Sequence, residues 1–201
     1  MTLLTESQLA DLGVQFGRDV RVSAAAQLFG AERITLGDHV RVDALCVLST
    51  GTHGTIELGS FIHVSSGVRL FGGGTIRTGN FVTISAGSTL HSESDDFGGE
   101  WLVGPQVPDE HTNVTSTPLV LGDYAAVGAH SLLLPGAALG EGSVLGALSM
   151  TRSALDPWTI YAGVPAGARS PRARGLLARA RKVLAVEDQA GDGQQADAAT
   201  T

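Results

Sequence analysis

The 201-residue chain contains very little of several residue types. Its one cysteine, Cys46, excludes an internal disulfide and is typical of a reducing compartment. Aromatic residues make up only 5% of the chain, so its apolar content is mainly Ala, Val, Leu and Ile. No apolar run is long enough to span a membrane, and residues 1–6 lack the basic and apolar segments of a signal peptide. These absences predict a cytoplasmic protein without a membrane span.

Basic residues are also missing from a long central stretch. Between Thr78 and Thr151 there is no Lys or Arg, whereas eight acidic residues occur there, and the net charge of the chain is -7. Nucleic-acid binding depends on Lys and Arg that neutralise phosphates, so this charge distribution argues against a nucleic-acid partner.

A six-residue period is the strongest positive signal. Apolar residues recur at every sixth position, and glycine follows four of them directly: Leu121, Val127, Leu133, Leu139 and Leu145. Three such steps make one coil of a triangular prism, and coils must stack to bury their apolar rows. A Gly-rich β-sandwich is the alternative, but its strands vary in length and do not keep a strict period.

The same period occurs earlier in the chain, with corner signals at regular places. The earlier series are Leu36, Val42 and Leu48; Leu58, Val64, Leu70 and Ile76; and Thr78, Ile84 and Leu90. The corners read Leu36-Gly37-Asp38, Leu58-Gly59-Ser60, Thr78-Gly79-Asn80 and Leu121-Gly122-Asp123, residue types that favour tight turns.

These patterns predict the organisation of the chain. Thr5 and Gln8 have the spacing of a capping box, which predicts a short helix from Glu6 to Leu12. The last apolar stripe, from Leu176 to Leu184, predicts an amphipathic helix. The predicted parts are an N-terminal helix (1–15), a β-helix (16–166) with an extruded loop (91–117), a C-terminal helix (167–186) and a disordered tail (187–201).

The repeat and several short motifs resemble a known family. The repeat is followed by YAGVPA at 161–166, and the chain also contains SDDF at 94–97, GPQVP at 104–108 and PWTIY at 157–161. The chain resembles the hexapeptide-repeat acyltransferases, especially the galactoside and maltose O-acetyltransferase type and a glycan-modifying branch. This resemblance implies a left-handed β-helix, acetyl-CoA as co-substrate, and a homotrimer whose active sites lie between subunits.

Acyl transfer to a hydroxyl requires a general base, and histidine is suited to this near neutral pH. Two histidines are candidates. The position of the catalytic histidine in the galactoside type favours His91, where the predicted loop begins, whereas the narrower branch favours His63, within a coil. A loop acid could orient the imidazole, with Asp95 as the chosen candidate and Asp96 as the alternative.

Further residues are predicted to bind the two substrates. The resemblance assigns acceptor binding to Ser65, and the loop residues Asp96 and Trp101 are further candidates. Arginine guanidinium groups suit phosphate oxygens, and small residues allow a pantetheine arm to lie close to the coils. The family that the chain resembles binds CoA through the later coils and through basic residues near the closing segment. The resemblance therefore implies CoA binding by Ala129, Gly146, Ala147, Arg152, Arg169 and Arg172.

We therefore expect an O-acetyltransferase acting on a sugar hydroxyl of a glycan, glycolipid or nucleotide-linked precursor. The alternative is N-acylation of a nucleotide-linked amino sugar, because an amine needs less help from a base and the acidic loop could attract an ammonium group. A non-catalytic scaffold, or a zinc-dependent relative of the carbonic anhydrase kind, is a third possibility. No metal is expected, because His39, His63 and His130 share no common phase in the repeat.

Overall fold

The computed structural model describes residues 2–198, with side chains described through residue 187. Within these residues, short strands form three parallel sheets that are the faces of a prism, and a separate hairpin. Sheet I contains β1 (Gln15–Phe16), β4 (Ile34–Leu36), β7 (Ile56–Leu58), β10 (Ile76–Thr78), β15 (Leu119–Leu121), β18 (Ala138–Leu139) and β21 (Ala154–Leu155).

The other two faces have the same construction. Sheet II contains β2 (Arg21–Val22), β5 (Val40–Val42), β8 (Ile62–Val64), β11 (Thr83–Ile84), β16 (Ala126–Val127), β19 (Val144–Leu145), β22 (Thr159–Ala162) and β23 (Gly167–Pro171). Sheet III contains β3 (Gln27–Phe29), β6 (Val47–Ser49), β9 (Arg69–Phe71), β12 (Thr89–His91), β17 (Leu132–Leu133) and β20 (Met150–Thr151). Successive strands visit sheets I, II and III in turn, so the chain winds around the prism. We name its edges the I–II, II–III and III–I corners.

The predicted fold, a left-handed parallel β-helix, is confirmed. From β1 to β22, each strand of the three sheets pairs in parallel with the strand one coil away; for example, Val64 of β8 lies opposite Ile84 of β11, and Ile84 lies opposite Val127 of β16. The six-residue apolar rows point inward and are almost fully buried, as for Leu70, Leu90 and Leu133. Burying an aliphatic side chain of this size stabilises a fold by about 1.5–3 kcal/mol, so the stacked rows hold the prism together.

The N-terminal helix closes one end of the prism. Helix α1 (Glu6–Asp11) begins with the predicted capping box: Thr5 accepts a hydrogen bond from the backbone N–H of Gln8, and the Gln8 side chain accepts one from the N–H of Thr5. Leu9 of this helix is buried in the core. The helix therefore covers apolar side chains of the first coil that no further coil covers.

The extruded loop leaves the prism after β12, at the III–I corner, and returns at β15. It contains an antiparallel hairpin of β13 (Glu93–Asp95) and β14 (Val114–Ser116), together with a 3₁₀ turn (Asp109–His111). A second 3₁₀ turn (Ala31–Arg33) lies in the early coils. The sequence predicted the excursion but not the hairpin, because no strand period marks its two short arms.

The C-terminal segment differs from its prediction in two ways. Residues 167–171 form β23, which pairs antiparallel with β22, so helix α2 begins at Leu176 and not at residue 167. The helix then continues to Ala198, beyond the predicted end at residue 186, through a stretch in which Ala and Gln, which favour helices, alternate with Gly and Asp, which do not. The end of the predicted disordered tail, residues 199–201, lies outside the described residues.

Neither described helix combines the length and the apolar character that crossing a lipid bilayer requires.

Candidate active site

A histidine and an aspartate form a hydrogen-bonded pair on the outer face of sheet II. His63 points outward from β8, and its Nε2 lies 2.8 Å from Oδ2 of Asp43, which follows β5 one coil earlier. A ring nitrogen that faces a carboxylate carries the proton, which leaves Nδ1 as the acceptor. The side chain of His63 is 41% exposed, so this acceptor is accessible from solvent. The pair therefore has the geometry of a general base with an orienting acid.

Arg41 contacts the second oxygen of the Asp43 carboxylate. Its Nε donates a hydrogen bond of 2.7 Å to Oδ1 of Asp43. Burial of Asp43 opposes its ionisation, but the hydrogen bonds from His63 and Arg41 outweigh burial and lower the pKa of this carboxyl group. Asp43 therefore stays negatively charged through the neutral range and holds the imidazole in one tautomer. Sequence reasoning missed Asp43, although its position in the preceding coil identifies it as a neighbour of His63.

Small residues line the II–III corner beside this pair. Ser65 lies at the end of β8, and the predicted CoA-binding residues Ala129, Gly146 and Ala147 lie at the same corner in later coils. The coils approach closely there, because a Cβ placed on Gly128 would lie 2.3 Å from the backbone nitrogen of Ala147. Small residues thus line part of this corner, as the sequence predicted for the path of an extended ligand, while Leu45, His130 and Leu148 project from the same corner.

His91 lies in a different environment at the III–I corner. It ends β12, and its ring stacks on Phe71 with centroids 4.8 Å apart. Burial lowers the pKa of His91, which favours the neutral imidazole. Among the described residues, no carboxylate forms an ion pair with it. His91 can therefore accept a proton, but it lacks the orienting acid that His63 has.

The extruded loop contains a cavity of about 260 Å³, which one of the predicted loop residues lines. Asp95 lines this cavity together with Glu93 and Asp109, so its wall is acidic. Asp96 instead stabilises the loop: the N–H of Gly98 and the side chain of Asn113 donate hydrogen bonds to its carboxylate and lower its pKa.

Trp101 and other apolar side chains of the same loop are exposed. Trp101 is 42% exposed, and Phe97, near the hairpin, is 79% exposed. Aromatic side chains of this size are normally packed against other groups. The loop therefore presents both an acidic cavity and an apolar surface outside the prism.

The three predicted phosphate-binding arginines lie at three different corners. Arg152 is exposed in the III–I turn between β20 and β21. Arg169 lies near the II–III corner, where its Nη2 donates a hydrogen bond to the carbonyl of Ala162. Arg172 lies at the I–II corner, where it donates to the carbonyls of Tyr124 and Gly142, and burial lowers its pKa. Of the three, Arg169 lies at the corner that also holds Ala129, Gly146 and Ala147.

No group of three or more His, Cys, Asp or Glu side chains within the described part of the chain is arranged to hold a metal ion.

The comparisons with known proteins bear on the whole chain. No family profile matches it. A dTDP-4-amino-4,6-dideoxy-D-glucose acyltransferase of Escherichia coli is 32% identical over 178 residues, which cover 88% of this chain and 92% of that protein. The chain is a hexapeptide-repeat acyltransferase. A shorter match, 32% identical over 80 residues, links the acyltransferase to the putative lipopolysaccharide biosynthesis O-acetyl transferase WbbJ of E. coli K12, covering 40% of this chain and 37% of that protein.

Solved structures agree with this assignment. AntD, an N-acyltransferase from Bacillus cereus crystallised with dTDP and 3-hydroxybutyryl-CoA, superposes on the acyltransferase with a TM-score of 0.88 and 31% identity. The match covers 94% of this chain and all of that chain. A hexapeptide-repeat acetyltransferase from Vibrio cholerae, at 19% identity and a TM-score of 0.55 over 82% of this chain and 77% of that chain, shares the fold alone. The narrower resemblance to the galactoside and maltose type gains no support from these relatives.

Proposed function

We propose that this acyltransferase moves an acyl group from acyl-CoA to the amino group of a dTDP-linked amino sugar. The observation that carries the proposal is the near full-length similarity to two enzymes with such an acceptor. The E. coli relative is named for dTDP-4-amino-4,6-dideoxy-D-glucose, and AntD was crystallised with that sugar nucleotide and with coenzyme A. This is the alternative that the sequence left open, and it has more support than O-acetylation of a glycan, which rests on a match to 40% of the chain.

The chemistry follows from the pair on sheet II. The nitrogen of the sugar attacks the thioester carbonyl carbon, a C–N bond forms, the C–S bond breaks, and CoA leaves as a thiolate. In our proposal, Nδ1 of His63 takes the proton that the nitrogen loses and passes it to the thiolate. Asp43, 2.8 Å from Nε2, stabilises the imidazolium that forms in between.

Acyl-CoA then lies along the II–III corner. Ala129, Gly146 and Ala147 leave room for the pantetheine arm beside the coils, and Ser65 lies at the same corner near His63. Arg169 is placed to contact the phosphates from the C-terminal end of the corner, where it already reaches Ala162. The proposal assigns no such role to Arg172, whose guanidinium group is occupied by two carbonyls.

The acceptor test compares two sugar nucleotides that differ only in the group at C4, an amine or a hydroxyl. Acetyl-CoA or 3-hydroxybutyryl-CoA is the donor. We expect the enzyme to release CoA when the acceptor is dTDP-4-amino-4,6-dideoxyglucose. With dTDP-6-deoxyglucose, the 4-hydroxyl counterpart, we expect no CoA release. Free thiol measures turnover, and mass spectrometry after hydroxylamine treatment distinguishes an amide, which survives, from an ester, which is cleaved. Turnover of hydroxyl acceptors alone would replace N-acylation with the O-acetylation that the sequence first predicted.

We further propose that the site is completed between copies of the chain in a cytoplasmic homotrimer. Within one chain the His63 pair lies on sheet II, whereas the loop with Asp95 leaves from the III–I corner, so sheet III separates them. The exposed Phe97 and Trp101 of the loop are suited to packing on a neighbouring copy. We expect a trimer by sedimentation velocity at assay concentration, and an active monomer would contradict this arrangement.

A further inference from the structure

Stacked rings run along the I–II corner of the prism. Neighbouring ring centroids are 4.7, 4.5, 5.3 and 6.2 Å apart, close to the spacing of adjacent strands for the first three steps. Each of the five residues has a left-handed backbone conformation, with φ between 54° and 60°. We call this column the aromatic ladder: His39, Phe61, Phe81, Tyr124 and Trp158.

Helix α2 lies along the aromatic ladder. Near its start, Arg172 donates hydrogen bonds to the carbonyls of Tyr124 and Gly142, and the guanidinium of Arg174 lies 5.1 Å from the Trp158 ring centroid. An α-helix rises about 1.5 Å per residue, so the part from Leu176 to residue 187 extends about 18 Å toward the other end of the ladder. There, Oε2 of Glu187 lies 3.0 Å from Nε2 of His39.

The middle of this contact is loosely packed. Two cavities of about 210 and 370 Å³ lie between the helix and the ladder, and Phe81 and Tyr124 line both of them. Ala180 is buried, but Val183 and Leu184 remain 43% and 41% exposed. The docking of α2 therefore depends strongly on the contacts of Arg172 and Arg174 near its start and on the contact of Glu187 further along.

His39 faces a carboxylate on each side. Its Nδ1 lies 3.1 Å from Oδ2 of Asp19, and its Nε2 lies 3.0 Å from Oε2 of Glu187. The contact with Asp19 is a hydrogen bond, whereas the contact with Glu187 has the distance of an ion pair without hydrogen-bond geometry. A neutral imidazole keeps the first contact, but only an imidazolium has the charge that attracts Glu187. The other charged groups at this end are Arg18, which contacts both Glu187 and Asp38, and Arg21, which contacts Asp19.

We propose that protonated His39 is a latch that fastens helix α2, at Glu187, to the aromatic ladder. The imidazolium lies between Asp19 of the first coil and Glu187 of the helix. Loss of its proton removes the positive charge that attracts Glu187 and loosens the helix at this point. The latch is independent of the function proposed above, since it involves neither the His63 pair nor the II–III corner.

The direction of the pH dependence follows from the docked state. Burial alone would lower the pKa of His39, but the nearby carboxylates of Asp19 and Glu187 outweigh burial and raise it above 6.5. A group whose pKa is raised in the docked state stabilises docking most at low pH. This contribution is lost as the pH rises through the raised pKa of His39, so α2 is fastened at pH 6 and loosened at pH 9.

Hydrogen exchange of the full chain at pH 6 and pH 9, corrected for intrinsic exchange, tests the latch. In the wild type we expect the protection of residues 179–187 to fall by about two- to fivefold at pH 9, the range for a partly exposed ion pair. Glu187→Gln should give the lower protection at both pH values, because it removes the charge but leaves the ring stack and Asp19 in place. Glu110→Gln, an exposed loop change, is the matched control and should behave like the wild type.

His39→Asn is the second variant, since Asn tolerates the left-handed backbone but cannot titrate in this range. It should also abolish the pH dependence. Protection of the core strands reports in the same experiment whether each variant is folded. Equal pH dependence of α2 in the wild type and in Glu187→Gln would overturn the proposal.

Discussion

Replacing His63 with alanine is expected to lower kcat by about 100-fold or more, at the lower end of what a positioned general base contributes. The expected loss follows from the hydrogen bond of 2.8 Å to Asp43, which orients the imidazole and leaves Nδ1 free. Asp43→Asn should also lower kcat, because the amide cannot stabilise an imidazolium by charge. Steady-state CoA release with the amino-sugar acceptor measures both variants.

Two histidine variants provide the comparison. His91→Ala tests the other histidine that the sequence favoured, and we expect a smaller loss there because the ring stacks on Phe71 and has no orienting acid. His111→Ala, in the exposed 3₁₀ turn of the loop, should retain wild-type turnover. Full activity of the His63→Ala variant would contradict the general-base role of His63 and would mean that the enzyme acts only by positioning its substrates.

Replacing Gly128 with alanine is expected to lower the stability of the fold by about 3 kcal/mol. An added Cβ would lie 2.3 Å from the backbone nitrogen of Ala147 and 2.6 Å from the carbonyl carbon of Gly146. Both atoms belong to the backbone of the next coil and cannot rotate away, so two coils must separate. For a chain of this size, the corresponding fall in Tm is roughly 10 °C by calorimetry.

Gly167→Ala is the matched control for this substitution. A Cβ on Gly167 would meet no atom within 4 Å, and its backbone is not left-handed. We expect its Tm to stay close to that of the wild type. A similar Tm for both variants would mean that the coils can move apart at little cost.

The repeat was predictable because each inward residue is specified locally. A six-residue apolar period needs no knowledge of distant contacts, and the buried rows through Leu70, Leu90 and Leu133 occur where it places them. The capping box at Thr5 is equally local. The hairpin in the loop was not predictable in this way, since its arms pair residues such as Glu93 and Ser116 across a long polar insertion.

The site was predictable only in part. The sequence identified His63 and His91 but could not choose between them, because the choice depends on which one receives a carboxylate from a neighbouring coil. The aromatic ladder was missed, and His39 was interpreted as a surface residue. The sequence does contain a pattern that predicts the aromatic ladder. An aromatic residue or a histidine follows each of the four corner motifs, as Phe61 follows Gly59-Ser60 and Tyr124 follows Gly122-Asp123.

The ladder has a consequence for how this enzyme can be altered. Phe81 and Tyr124 stack at 5.3 Å although the whole extruded loop lies between them in the chain. The two coils thus meet as if the insertion were not there, and β10 pairs directly with β15 beneath it. The insertion is therefore not needed to align these two coils, and we expect its exchange for that of a relative to leave the prism intact.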